Sequence, residues 1–391
     1  MHTPTVLMIA PGNDIHSLRP LNWLLKRGYR VIFSDVFDPF PEGRGGYEFI
    51  NFPYKLEKGL FRKLLGKHIS THLSRPSTIR LKKIWHRTCP DIVHVHWVDD
   101  RAYCCVRAGL HPLVLTVWGS DIHSHFKPGA SQAARRRVGN TLANADMILV
   151  DSADMHGMCS ELAGRDVTVE MITHGVNTDQ FRPGFKQEAR KWRRRLNISD
   201  NATVLLSIRG WSPLYRHEKI LEAFAWALPK FRSEAVLVFK ILKRASMDRA
   251  LYERQLVDLA NKLGVAHAVR WMEEVPLDRL PEVYSLANVI LNYPSRDAFP
   301  VTFLEAAACE CPVITCYLPA YAGTFANDYY HLVSSDDHRE LSDAIVAFVN
   351  SGRDAFRGRL HELRREVCRK YDDRIASQQL IDIYQKVSSR I

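Results

Sequence analysis

Residues 288–315, NVILNYPSRDAFPVTFLEAAACECPVIT, leave the chain few ways to fold. Two apolar runs, Asn288 to Tyr293 and Pro312 to Thr315, read as buried strands. Between them Pro300 marks a helix start, because its fixed φ suits a first turn. That places Asp297 just ahead of the helix and Glu305 inside it. Val301 and Thr302 offer backbone N–H groups at the positive end of the helix dipole, where phosphate oxygens bind readily, whereas Pro300 offers none. Two carboxylates flanking such a helix start suit a ligand that carries hydroxyls at one end and phosphates at the other.

The rest of the chain repeats this alternation. Thr5 to Ala10, Arg30 to Ser34, Tyr47 to Tyr54, Asp91 to Val98, Leu113 to Val117, Ala145 to Asp151 and Val167 to Ile172 read as strands of a first parallel sheet, with helical patterns between them. Ser152 is placed to cap the helix that follows Asp151. After the charged run Lys186 to Arg195, read as a solvated helix, Ala202 to Ile208, Ala235 to Leu242 and His267 to Trp271 begin a second set. The first β-α turn, Pro11-Gly12-Asn13-Asp14, lacks Gly-x-Gly-x-x-Gly, so a nicotinamide or flavin dinucleotide is not indicated.

Length agrees with two domains, since 391 residues exceed what one core ordinarily serves. The formal charge is +11, and residues 55–87 hold ten Lys and Arg against one acid, Glu57. Leu60, Leu64, Leu65, Ile79, Ile84 and Trp85 are interleaved with those cations, as on helices with an apolar side and a basic rim. Such a surface suits peripheral contact with anionic lipid; a solvated helix whose Lys and Arg stems cover apolar neighbours reads equally well. No nucleic-acid motif accompanies the charge. No apolar run approaches the roughly 18 to 20 residues of a membrane span, and MHTPTVLMIAPGND lacks the form of a signal peptide, so a cytoplasmic protein is expected. Eight cysteines without Cys-x-x-Cys repeats read as reduced thiols, and His94-x-His96 has no third ligand at a recognisable spacing, so no metal is assigned.

Asp297-x7-Glu305, followed by Ala306-Ala307-Ala308 and Pro312-Val313-Ile314, resembles the Glu-x7-Glu signature of the GT4-type retaining glycosyltransferases, with Asp as the first acid. Gly175, Phe181 and Pro183 resemble the same family's segment at the end of its first domain. The family's fold is GT-B, two doubly wound Rossmann-like α/β domains facing across a cleft. The resemblance implies an acceptor domain at 1–183, a nucleotide-sugar domain at 184–370, and a C-terminal helix, 371–391, crossing back to the first.

The resemblance also implies roles. Arg209, with Arg216 or Lys219 as a second cation, would hold the donor diphosphate, helped by the Val301 and Thr302 amides. Asp297 would hold sugar hydroxyls and Glu305 the ribose, with Phe299 also in the donor site. Gly12, Asn13, Trp118, Gly119 and Asp121 would line the acceptor side or the cleft; Trp118 stands where the family has a His. The implied reaction moves a sugar from a nucleotide-diphosphate sugar to a hydroxyl of a saccharide or lipid-linked acceptor, with retention and without a metal, in surface polysaccharide, lipopolysaccharide or glycolipid synthesis. A nucleotide-sugar epimerase on the same fold and a non-catalytic binding subunit are the alternatives.

Overall fold

The computed structural model describes residues 3–11, 15–35, 47–50, 70–240, 247–351 and 357–389. The chain divides into two units, residues 1–173 with 374–391, and residues 174–373.

In the first unit the apolar runs form β1 (Thr5–Ile9), β2 (Arg30–Ser34), β3 (Glu48–Phe49), β4 (Ile92–His96), β5 (Leu113–Thr116), β6 (Met147–Val150) and β7 (Val169–Met171). They pair in parallel in the order β3-β2-β1-β4-β5-β6-β7. The period of two divides the core. Leu7, Ile9, Val93 and Val95 pack into one cluster, and Val6, Met8 and Val114 into another on the opposite face. That second cluster takes Ala376, Leu380 and Tyr384 from the final helix, Asp373–Ser388, so the tail completes the first unit's core.

Helix Gln132–Ala143 lies against helix Ala153–Ala163, whose N-cap is Ser152, with its Oγ accepting from Met155 N at 3.4 Å. The approach of these two helices is close enough that a Cβ on Gly139 would overlap the Leu162 carbonyl.

The second unit contains β8 (Thr203–Ser207), β9 (Ala235–Lys240), β10 (Val269–Met272), β11 (Val289–Asn292), β12 (Val313–Cys316) and β13 (His331–Val333), again all parallel, in the order β10-β9-β8-β11-β12-β13. Its central strands are buried along their length, which explains their unbroken apolar runs.

The expected boundary near residue 183 moves back to Thr173. Residues 174–183 pack with the second unit: Val176 bridges Asp372, the Thr178 hydroxyl bonds the Asp372 carboxylate, and buried Phe181 meets Tyr284 edge-on. In the basic stretch, residues 55–69 lie outside the described residues. Helix Ser70–Thr88 follows them, with Leu81 and Ile84 in the core and Lys82, Lys83, His86 and Arg87 exposed. Part of its apolar side thus enters the protein's own core, while Ile79 is exposed beside the solvated cations. Among the described residues no helix is long and apolar enough to cross a membrane. The eight cysteines are free thiols, six of them buried.

Candidate functional site

The second sheet reverses its order between β8 and β11, and at such a reversal the loops leaving the strands diverge and open a crevice. Arg209 leaves β8 there and Asp297 follows β11. Their side chains meet at 3.1 Å between Nη2 and Oδ1, with exposures of 12% and 10%. The guanidinium also lies 4.3 Å over the Tyr215 ring. Burial works against the charge on Arg209, but Asp297, then Tyr215 and Tyr321, outweigh it and its pKa rises. A buried pair of this kind is poor evidence of added stability, because desolvation cancels much of the attraction. It does hold a permanent positive charge at the strand ends.

Helix Val301–Ala308 starts beside Asp297. Pro300 is its N-cap, no side chain caps it, and Phe303 N donates to Pro300 O at 2.9 Å. Glu305, inside the helix, is 7% exposed and accepts from the Tyr284 hydroxyl at 2.8 Å. Lys240, the buried last residue of β9, has a pKa lowered by burial, against which Glu274 and Glu305 act. The Phe299 ring is packed against Phe303, Phe325 and Tyr371 and belongs to the core.

The two cations considered for the second phosphate contact are differently engaged. Arg216 adopts φ 46°, and its guanidinium donates to the carbonyls of Tyr293 (3.0 Å), Pro294 (2.7 Å) and Ser335 (2.8 Å), braced over the Tyr293 ring. It ties together the segments that leave β11 and β13. Lys219 Nζ pairs with Glu222 at 2.9 Å on its own helix, His217–Ala227. His217 at the start of that helix bonds Gly210 O at 3.0 Å through Nε2 and Ser207 Oγ at 3.1 Å through Nδ1. Since a carbonyl only accepts, Nε2 carries the proton and Nδ1 accepts. Burial drops the His217 pKa to about 4, which keeps it neutral and clamps the turn after Arg209.

In the first unit Gly12 and Asn13 lie outside the described residues. Gly119 turns the chain after β5 with φ 96°, a conformation that favours glycine. The Asp121 carboxylate accepts from Val98 N (2.9 Å) and Trp118 N (3.1 Å), joining the ends of β4 and β5. Burial raises its pKa to about 6 against the opposing pull of those N–H groups. Trp118 stacks on His96 at 5.8 Å and lies 6.2 Å from Trp97, so His96 is the imidazole beside the position where the resembled family has its own. His94 joins Tyr384 Oη (2.6 Å) and Thr116 Oγ1 (2.7 Å), and burial drops its pKa to about 3. No group of three or more His, Cys, Asp or Glu suited to a metal occurs among the described residues.

Some of this was not foreseen from the sequence. Arg101 is buried between Asp35 (3.0 Å) and Asp99 (2.5 Å), a charged cluster brought together from β2 and β4 across 66 residues. Beside it a cavity of about 1160 Å³ is lined by Asp99, Tyr103, Asp121, His125, Arg136 and Asn140 among others. Asn292, Tyr284 and Tyr321 also join the second unit's site. For Asn292 the available signal was position, at the C-terminal end of a switch-point strand; Tyr284, on helix Leu280–Leu286 ahead of β11, and Tyr321, in the loop after β12, carry no such signal.

Residues 188–366 match the family described as "Glycosyl transferases group 1", and residues 5–152 match "Glycosyl transferase 4-like". D-inositol 3-phosphate glycosyltransferase of Geodermatophilus obscurus is 32% identical over 235 residues, 57% of this chain and 51% of the relative. The enzyme of that name from Corynebacterium diphtheriae is 23% identical over 326 residues, 78% of this chain and 73% of the relative. The chain thus spans about half the length of the first of these relatives. Among solved structures, sucrose-phosphate synthase from Thermosynechococcus elongatus superposes with a TM-score of 0.82 at 16% identity, covering both chains completely. Anabaena HepE in complex with UDP and glucose gives 0.77 at 15%, covering 98% of this chain and 100% of the other. Two parallel-sheet Rossmann-like units, the two matched families and these neighbours agree, and the chain belongs to the group 1, GT4-type glycosyltransferases on the GT-B fold.

Proposed function

We propose that the protein transfers a sugar from a nucleotide-diphosphate sugar to a hydroxyl acceptor, with retention of configuration and without a divalent metal. The observation that carries this reading is the meeting of Arg209 and Asp297 at the second sheet's switch point, beside an uncapped helix start and the buried Glu305. As the glycosidic bond breaks, the diphosphate leaving group gains charge, and fixed donors in a low-dielectric site stabilise it. Arg209 and the Val301 and Thr302 amides supply such donors, so this arrangement calls on no metal for that task. Asp297 accepts from sugar hydroxyls, and Glu305, oriented by Tyr284, accepts from the ribose. Arg216 serves this site by bracing the strand ends rather than by gripping phosphate.

One structural neighbour, Anabaena HepE, is seen in complexes with UDP, with UDP and glucose, and with UDP-glucose, which supports a uridine nucleotide as the first donor to try. The acceptor side belongs to the first unit. Its cavity mixes carboxylates, guanidinium groups and hydroxyls, a lining suited to a hydroxyl-rich acceptor, whether free, phosphorylated as the relatives' names suggest, or lipid-linked in surface polysaccharide or glycolipid synthesis.

The test is a panel of uridine, guanosine and adenosine diphosphate sugars in buffer containing chelator, followed by nuclear magnetic resonance. Slow release of the nucleoside diphosphate, and an α product from an α donor once an acceptor is found, are expected. Conversion of one nucleotide sugar into its epimer, or no turnover of any donor, would reject the transferase reading.

A further inference from the structure

Asp297 reaches Arg209 with one oxygen; the other accepts from a residue outside the Asp-x7-Glu pattern. The Tyr321 hydroxyl, in the loop after β12, lies 3.2 Å from Asp297 Oδ2. The same hydroxyl is 3.3 Å from Asn292 Nδ2, and that amide is 3.1 Å from Thr315 Oγ1. The direction of this chain follows from its ends. An ionised carboxylate only accepts and an amide NH₂ only donates, so the phenol must receive from Asn292 and give its one proton to Asp297. A flipped Asn292 would set two acceptors against a single proton. Tyr321 is fully buried with its ring 5.0 Å from that of Phe303, and burial, then the nearby Asp297, raises its pKa well above the usual value, so the proton stays on the phenol.

We propose that Tyr321 is a positioning residue of the donor site, fixing the Asp297 carboxylate toward Arg209 so that acid and guanidinium meet the donor as one preset unit. The carboxylate is held from both sides, by the guanidinium from β8 and by the phenol from the loop after β12. Asn292, at the end of the strand that leads to Asp297, sets the phenol's rotor. The chain Asn292–Tyr321–Asp297–Arg209 therefore crosses the ends of β11, β12 and β8. Preset geometry matters here because a donor site that must reorganise at the moment of reaction loses much of its electrostatic advantage.

The role rests on the donor reading above, and the test separates the two. Donor turnover is compared for wild type, Tyr321→Phe, Asp297→Ala and the double variant, each checked for an unchanged thermal midpoint. Tyr321→Phe is expected to lower turnover at least about tenfold with no loss of fold. On the Asp297→Ala background it is expected to change nothing, because a residue acting through Asp297 has no effect once Asp297 is gone. Should Tyr321→Phe alone fail to fold, combining it with Asn292→Leu removes the stranded amide, and the same loss of turnover is expected from that pair. Turnover within twofold of wild type, or losses that multiply in the double variant, would overturn the role. A wild-type protein that turns over no nucleotide sugar would instead sink the donor reading and the role with it.

Discussion

The two sheets carry the same architecture but present different chemistry at their strand ends. In the second unit the residues at the reversal of strand order are charged and held by hydrogen bonds: Arg209 on Asp297, Tyr321 on Asp297, Tyr284 on Glu305. The first sheet reverses its order between β1 and β4, and the ends of β4 and its neighbour β5 carry stacked rings, His96, Trp97 and Trp118, and a carboxylate whose visible partners are main-chain N–H groups. The charged equipment there, Arg101 with Asp35 and Asp99, is displaced toward the neighbouring cavity. A diphosphate brings fixed charge that is best met by a permanent cation, whereas an acceptor sugar brings hydroxyls and apolar faces. The contrast is what a division of labour between donor and acceptor halves would require.

The largest effect that would sharpen this contrast is the loss of the permanent cation. Arg209→Ala is expected to lower donor turnover about 10²- to 10³-fold, the usual cost of one donor aimed at developing charge, with the first unit's fold unchanged. Steady-state rates and circular dichroism check it. Glu305→Ala comes next. It leaves the Tyr284 hydroxyl without its acceptor and is expected to cost about 1–3 kcal/mol of stability, besides weakening nucleotide binding. Calorimetric unfolding and titration with a nucleoside diphosphate separate the two losses.

The first unit should respond in stability and not in donor binding. Replacing a helical glycine with alanine ordinarily gains about 1 kcal/mol from propensity. At Gly139 the added carbon overlaps the Leu162 carbonyl, so Gly139→Ala is expected instead to lower stability by about 1–3 kcal/mol through forced displacement of the two helices. Donor affinity should remain as in the wild type; a rise in thermal midpoint would contradict the packing described.

The last contrast is a pH dependence shared by both units. His94 and His217 have pKa values lowered to about 3 and about 4 from an ordinary 6.5. Below pH 6.5 the unfolded chain takes up protons that the folded sites refuse, so their stabilisation, complete above pH 6.5, falls as pH drops toward those values. Asp121, raised to about 6, acts in the opposite sense: its contribution is greatest below about pH 4 and is lost as pH rises through 6. His94→Gln should flatten the acid-side decline in the first unit, His217→Gln in the second, and Asp121→Asn should steepen it. Thermal midpoints measured from pH 7 to pH 4 report all three.

Much of the fold was legible because parallel strands covered on both faces need continuous apolar runs, and Thr5 to Ala10 or Ala202 to Ile208 stand out for that reason. Arg209 and Asp297 were legible because Arg209 stands just beyond β8 and Asp297 in the loop that joins β11 to the helix start at Pro300, and at a switch point such positions come together. Tyr321 was not, since its contact with Asp297 spans 24 residues and depends on how a short loop folds after β12. The bracing contacts of Arg216 were not legible, because sequence shows a cation and not the three carbonyls to which it donates. The domain boundary shifted because Phe181, part of a recognisable segment, packs into the second core and not the first.

The most direct test of the account is a calorimetric titration of UDP and of UDP-glucose, in chelator, into the wild-type protein and into Arg209→Ala. The account predicts saturable binding to the wild type and affinity at least about tenfold weaker in the variant, a loss of about 1.4 kcal/mol or more. Equal binding to both proteins would contradict it, because the second unit's switch point would then not be the seat of the donor diphosphate.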